Sequence, residues 1–168
     1  ICVNQSGKRF WNELDDTYGF LNACLGRHDN NARSAKLNGG GPIWAVFDAD
    51  AVRREEWEPT PPNVDPKGWF FSADTIADLA RKITNPYQLL PMPPRNLEDA
   101  VLKYNSYVDA GKDPEFGRPG LMFKVQKPPF YAAWATPILH DALAGLRTNG
   151  RCEVLDIRGQ VIPGLYCA

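Results

Sequence analysis

Histidine is scarce and cysteine is scattered. His28 and His140 are the two histidines, and Cys2, Cys24, Cys152 and Cys167 form no CxxC pair. Neither histidine has a partner at ligand spacing, which argues against a zinc site. The cysteines read as reduced structural thiols of a cytoplasmic protein, three of them in apolar contexts where a thiol packs as a small hydrophobe. No apolar run approaches the length of a membrane-spanning helix, and no signal-peptide pattern opens the chain. The net charge is −1, which provides no general attraction to nucleic acid or to an anionic membrane. There is no internal repeat and no GxGxxG, so a dinucleotide-binding fingerprint is missing too.

What is present is ordinary globular material. The chain has 168 residues, 43% hydrophobic and 23% charged, enough for one domain with a real core. Ile1–Val3 reads as the end of a strand, Ser6-Gly7-Lys8 as a turn, and Arg9-Phe10-Trp11 as renewed alternation. From Asn12 the spacing of Leu14, Tyr18, Leu21, Cys24 and Leu25 is helical. Arg27–Pro42 is polar, ends in three glycines, and reads as a flexible or lid-like loop. Ile43–Phe47 is a buried strand, with Asp48 capping a short helix through Arg53.

Beyond it, Pro59–Pro66 is irregular and Trp69-Phe70-Phe71 is a strand or an aromatic anchor. Ser72 is a suitable N-cap for a helix burying Ile76, Leu79, Ala80 and Ile83. Pro86–Pro94 holds four prolines and resists regular structure. Asn96 is placed to cap a helix with Leu97, Val101, Tyr104 and Val108 on its buried face, ending at Gly111. The last third is a run of short strands: Phe130–Ala135, Leu143–Thr148, Glu153–Ile157, Val161-Ile162 after a turn at Arg158-Gly159-Gln160, and a buried-looking apolar Leu165–Ala168 after Pro163-Gly164. The fold class is α+β.

Three stretches in order carry a resemblance. The opening Val3-Asn4-Gln5-Ser6-Gly7-Lys8-Arg9-Phe10-Trp11-Asn12-Glu13 is similar to "VN..GKRF.NE". Asn105 with Asp113–Pro119 resembles "YN......DP.FGR". Phe130-Tyr131-Ala132 is similar to "PFYA", and Val154–Ala168, "VLD..G.VIPGLYCA", to the family segment that ends in "PGLYAAGE". Together they resemble the fumarate reductase/succinate dehydrogenase class of FAD flavoproteins, to which 3-ketosteroid Δ1-dehydrogenases are related.

The resemblance implies an excised capping region. Residues 1–126 would be the capping (substrate) domain, with 1–12 a strand entering from the FAD domain. Residues 127–168 would be a β-rich return toward that domain, stopping before the family's Gly-Glu. The implied parent is an FAD enzyme that reduces or desaturates a C–C bond activated by a carboxylate or ketone, exchanging hydride with flavin N5. This piece alone is expected to be inactive, with the main FAD fingerprint elsewhere. Its partners would be the rest of its own FAD domain, a small carboxylate or ketone, and an unidentified electron partner. Alternatives are a ketosteroid-dehydrogenase-like enzyme and a non-catalytic binding module.

Roles follow residue by residue. Arg53 resembles the proton-donating arginine of "IFD...VR", with Arg54 as the register alternative. An arginine serves as an acid only in a tight, dry pocket. Glu13 matches the "NE" glutamate that relays protons toward it. Both equally suit a plain helical surface: Arg53–Glu56 as a solvated charge run, Glu13 as a first-turn acid. His140-Asp141 stands where fumarate reductases grip a substrate carboxylate with His-His-Thr. Asp141 would repel a dicarboxylate, and Ala142 lacks a hydroxyl, so a substrate other than plain fumarate is favoured. Tyr131 and Tyr18 resemble tyrosines that ketosteroid dehydrogenases keep near substrate, and both also suit core packing. Arg118 reads as a structural anchor, and Trp69, Phe70 and Phe71 as core or cavity lining.

Overall fold

A computed structural model describes residues 1–15, 18–24, 41–121, 123–136 and 145–167. The chain divides into two compact units, Ile1–Pro137 and Ile138–Ala168. The first is built on a four-stranded antiparallel sheet in the order β1-β2-β4-β3. Its strands are β1 (Cys2–Val3), β2 (Trp44–Asp48), β3 (Phe70–Ala73) and β4 (Phe130–Trp134). Strict alternation decides which residues go inside. Trp44, Val46 and Asp48 are buried, while Ala45 and Phe47 are half-buried on the other face.

The inner face carries Val3, Trp44, Val46, Phe130 and Ala132, and it packs against two helices. These are α3 (Ile76–Lys82), with Leu79 and Ala80 buried, and α4 (Pro94–Ala110), with Leu97, Ala100, Val101 and Tyr104 buried. Each fully buried side chain of this size contributes roughly 1.5–3 kcal/mol by leaving water. Helix α2 (Ala49–Arg54) continues directly from β2, and α1 spans Tyr18–Cys24. Ala23 and Cys24 of α1 pack with Phe10 and Ile43 in a second, smaller apolar cluster.

Three helix starts differ from the sequence reading. Ser72 lies in β3 opposite Tyr131, because pairing with β4 claims it. Thr75 caps α3 instead, its hydroxyl accepting from Asp78 N at 3.0 Å and donating to Asp78 Oδ2 at 2.7 Å, a reciprocal arrangement that satisfies an orphan amide. Pro94 opens α4 at N1, where a fixed φ and a missing N–H cost nothing. Asn96 therefore sits in the first turn, and its amide donates to Ser6 O at 2.9 Å. Asn12 folds back on itself, accepting from Leu14 N at 3.0 Å, rather than opening a helix. Arg9–Trp11 form no strand. Gly111 ends α4 as expected, in the left-handed conformation at φ 63°.

The second unit is a hairpin of β5 (Glu153–Leu155) and β6 (Val161–Tyr166). Its turn is held by Asp156, whose Oδ1 accepts from Arg158 N at 2.8 Å and Gln160 N at 2.9 Å. Strand β6 runs unbroken through Pro163-Gly164, which the sequence reading placed between two strands, and Leu165 and Tyr166, expected to be buried, are exposed in this two-stranded hairpin. Proline is tolerated in an edge strand because no ladder N–H is required there. Of the expected strand Leu143–Thr148, the described part makes a single bridge, Thr148 to Val154. The expected loop Arg27–Pro42 lies outside the described residues except for its last two. Among the described residues, no helix is long and apolar enough to cross a membrane.

Candidate active-site elements

Among the described residues of the first unit, a buried charge cluster surrounds Glu13. Its Oε1 accepts from Cys2 N at 3.1 Å and from Arg9 Nε at 2.9 Å. Its Oε2 accepts from Arg9 Nη2 at 2.9 Å and lies 3.2 Å from Arg118 Nη1. Arg9 Nη2 also donates to Asp113 Oδ2 at 2.9 Å. Asp113 Oδ1 in turn accepts from Glu115 N at 3.0 Å and Phe116 N at 3.1 Å. The Arg9 guanidinium lies 5.4 Å from the Tyr104 ring and 5.1 Å from that of Phe116.

Two guanidiniums thus balance two carboxylates away from water, the condition under which buried charge is tolerable. Burial pushes the Glu13 carboxyl up, but the two bonds and the charge of Arg9 outweigh it and bring the pKa down to about 2. Asp113 moves the same way: burial opposes its ionisation, and Arg9 with two backbone amides overcomes this. Tyr104 is pushed up, chiefly by burial.

Arg53 has a different setting. It lies in the last turn of α2 with its side chain 71% exposed, paired with Asp50. Among the described residues no hydrogen bond or ion pair joins it to Glu13 or Tyr131. Its neighbour Arg54 is more engaged, bonding Glu55 Oε1 at 2.9 Å and lying 3.8 Å over the Phe123 ring. What fixes α2 is Asp48, only 1% exposed. Its Oδ1 accepts from Ala51 N at 3.0 Å, while Oδ2 accepts from Gln126 N at 2.9 Å and Lys127 N at 3.0 Å. One carboxylate therefore starts the helix bearing Arg53 and fastens the segment leading into β4.

Tyr131 lies on the outer sheet face, stacked on Phe47 at 5.4 Å and tilted against Phe70 at 5.7 Å. Trp57 closes edge-on against Phe47 at 5.2 Å. Phe71 is on the opposite face, edge-on to Trp44 at 5.5 Å, and Trp69 packs edge-on against Trp134 at 4.7 Å. Tyr18 opens α1, its side chain outside the described part. His140 and Asp141 also lie outside the described residues. Arg9 and Asp113 were not singled out from sequence, although both stand inside the quoted motifs. Their signal was the recurrence of fixed charges, RF.NE and DP.FGR, in two segments far apart in the chain.

A cleft of about 710 Å³ opens between α4 and the start of α3, lined in part by Asp74, Glu98, Asp99, Arg95, Val101 and Phe130. Three carboxylates against one guanidinium make it a poor seat for a dicarboxylate or a pyrophosphate.

The whole chain, residues 1–168, matches the family model described as FAD binding domain, and the chain belongs to that family. It is 32% identical over 171 residues to NADH:acrylate oxidoreductase of Vibrio harveyi, covering all of this chain and 15% of that protein. It is 29% identical over 168 residues to fumarate reductase (cytochrome) of Shewanella frigidimarina, covering all of this chain and 26% of that protein. Among solved structures it is similar to 3-ketosteroid Δ1-dehydrogenase from Sterolibacterium denitrificans, at 26% identity and a TM-score of 0.65, over 99% of this chain and 32% of the other. The chain thus spans between about a seventh and a third of the length of these relatives.

The family implies FAD, and the N-termini of α2, α3 and α4 offer no cradle for its pyrophosphate. The N-termini of α2 and α3 are already taken by Asp48 and by Thr75 with Asp78, and α4 begins on Pro93-Pro94. An acid in place at a helix start repels a phosphate where bare amides would bind it.

Proposed function

We propose that this chain is the capping and return segment of an FAD-dependent oxidoreductase that reduces or desaturates a C–C bond activated by a carboxylate or ketone, with hydride exchanged with flavin N5. Residues 1–126 form the capping domain and 127–168 the return toward the FAD-binding domain. Arg53 is the proton donor, Glu13 its relay, and Tyr131 a catalytic phenol that donates to a ketone or abstracts a proton. His140, Asp141 and Tyr18 contact the substrate. The protein is cytoplasmic, and its partners are the rest of its own FAD domain, a small carboxylate or ketone, and an electron partner of unidentified kind.

The observation that carries this reading is the match of residues 1–168 to an FAD binding domain. Two relatives aligned over the whole chain are named for acrylate and fumarate, both alkenes conjugated to a carboxylate. In such chemistry the protein supplies a cation or donor for the carboxylate and a proton on the face away from the flavin. In this chain Arg53 is exposed and paired with Asp50, so the dry pocket that an acidic arginine needs would have to be completed by the rest of the FAD domain. Asp141 and Ala142 favour a substrate other than plain fumarate. A ketosteroid-dehydrogenase-like activity is the second reading, favoured by the likeness to a 3-ketosteroid Δ1-dehydrogenase and by the aromatic face of Phe47, Phe70 and Tyr131.

The test is a flavin titration followed by FAD fluorescence, on these 168 residues and on a chain extended at both ends. Tight binding by the extended chain alone is the expected result. Tight binding by the 168 residues alone overturns the segment reading, and no binding by either overturns the flavoenzyme reading. With flavin bound, enoates and enones screened as acceptors separate the two substrate classes.

A further inference from the structure

The four charges around Glu13 are not held equally. Arg9 is fixed from three sides, by Glu13, by Asp113 and by the rings of Tyr104 and Phe116, with its side chain 2% exposed. Arg118 has one charge contact, to Glu13 Oε2 at 3.2 Å, and lies 5.6 Å from the Tyr104 ring, with 18% of its side chain exposed. Each guanidinium keeps one buried nitrogen without a hydrogen-bond partner, Nη1 of Arg9 and Nε of Arg118, but Arg9 has two carboxylates to hold it and Arg118 one. Gly117 and Gly120 flank it at φ 68° and 63°, and a Cβ added at either would meet nothing within 4 Å.

Both Oε1 donors and the first Oε2 donor belong to groups that cannot leave without dismantling the cluster. The side of Oε2 toward Arg118 is the one position where a proton can be added to Glu13. While Arg118 is there, an added proton faces a cation at contact distance. With Arg118 swung out, Arg9 is left between two carboxylates with one uncompensated negative charge, which favours uptake of a proton. Other groups facing this carboxylate are Cys2 from β1, with Tyr104 from α4 and Asp113 reaching it through Arg9. None of these replaces the lost cation at Oε2.

We propose that Arg118 is a positioning residue that controls whether Glu13 exchanges a proton, closed when its guanidinium lies on Oε2 and open when it swings away. This rests on the reading of Glu13 as a proton relay. The step itself is a proton transfer between Glu13 Oε2 and the next acceptor or donor, with no change in oxidation state.

The experiment is a ¹³C NMR titration of the Glu13 carboxyl in this chain, in its unsubstituted form and as Arg118→Gln and Arg118→Lys. Loss of an opposite charge at this range is expected to raise the Glu13 midpoint in Arg118→Gln by about one pH unit or more, and Arg118→Lys is expected to bring it most of the way back. A midpoint unmoved in a folded Arg118→Gln overturns the proposal. Should that variant fail to fold, the unsubstituted chain still decides. The ¹⁵N signals of the Arg118 guanidinium are expected to titrate with the Glu13 midpoint, and signals unchanged through it overturn the proposal. Failure of the relay reading is recognised separately, as Glu13→Gln leaving turnover and its pH profile unaltered in the flavin-loaded reductase while the NMR coupling persists.

Discussion

Arg9 and Arg53 each pair with a carboxylate close by in sequence, Glu13 at i+4 and Asp50 at i−3, yet they have opposite fates. Arg9 is buried, doubly bonded and stacked on aromatic rings. Arg53 stands in water on the last turn of a six-residue helix. A guanidinium out of water needs its charge balanced and most of its donors bonded, and Arg9 uses Nε and Nη2 on two carboxylates, so the first pair commits many groups to one geometry. The second commits almost nothing, and such surface pairs add little to stability. One arginine is therefore built in to hold the chain together, and the other is left available.

The sharpest way to break the contrast is to remove the buried cation. Arg9→Met leaves Glu13 and Asp113 as buried carboxylates without their main partner, and breaking a buried pair from one side costs about 3–5 kcal/mol. Urea unfolding followed by tryptophan fluorescence is the measurement, since Trp44 and Trp134 sit in the first unit's sheet. A loss under about 1 kcal/mol would show that the cluster does not hold the unit.

Acid is the second probe, and its sign follows from Glu13. The folded pKa of about 2 lies below the ordinary value of 4.5. The stabilisation is therefore fully present above about pH 4.5 and is lost as the pH falls toward 2. At 1.36 kcal/mol per unit the loss is on the order of 3 kcal/mol, with Asp113 adding in the same direction. Stability measured from pH 6 down to pH 2 is expected to fall steeply in the unsubstituted chain and less steeply in Glu13→Gln. Parallel curves for the two would remove Glu13 from the account.

The same contrast explains what was legible in the sequence. Continuous apolar runs marked β2 and β4 as strands, and 3.6-residue spacing marked Leu97, Val101 and Tyr104 on α4, because each pattern reports one element against one core. Helix starts were misplaced where a remote partner competed for the capping residue. Ser72 was claimed by β4, and Asn96 was claimed by the Ser6 carbonyl. The Arg9–Asp113 contact joins residues 104 positions apart, a distance over which no periodicity carries information. Glu13 was singled out through its motif, and what the motif could not convey is that Arg9, Asp113 and Arg118 converge to hold it.

The smallest expected effect on stability is also the most informative about chemistry. Arg53→Gln removes an exposed pair and should change unfolding free energy by no more than about 0.5 kcal/mol. If Arg53 donates the proton in the flavin-loaded reductase, the same substitution should lower turnover by about 10²–10⁴-fold, the usual worth of a positioned acid. Arg54→Gln, which removes the group lying over Phe123, should do the reverse, lowering stability more and turnover less. A stable Arg53→Gln enzyme with undiminished turnover would return Arg53 to the solvated surface and leave the proton donor to be sought elsewhere.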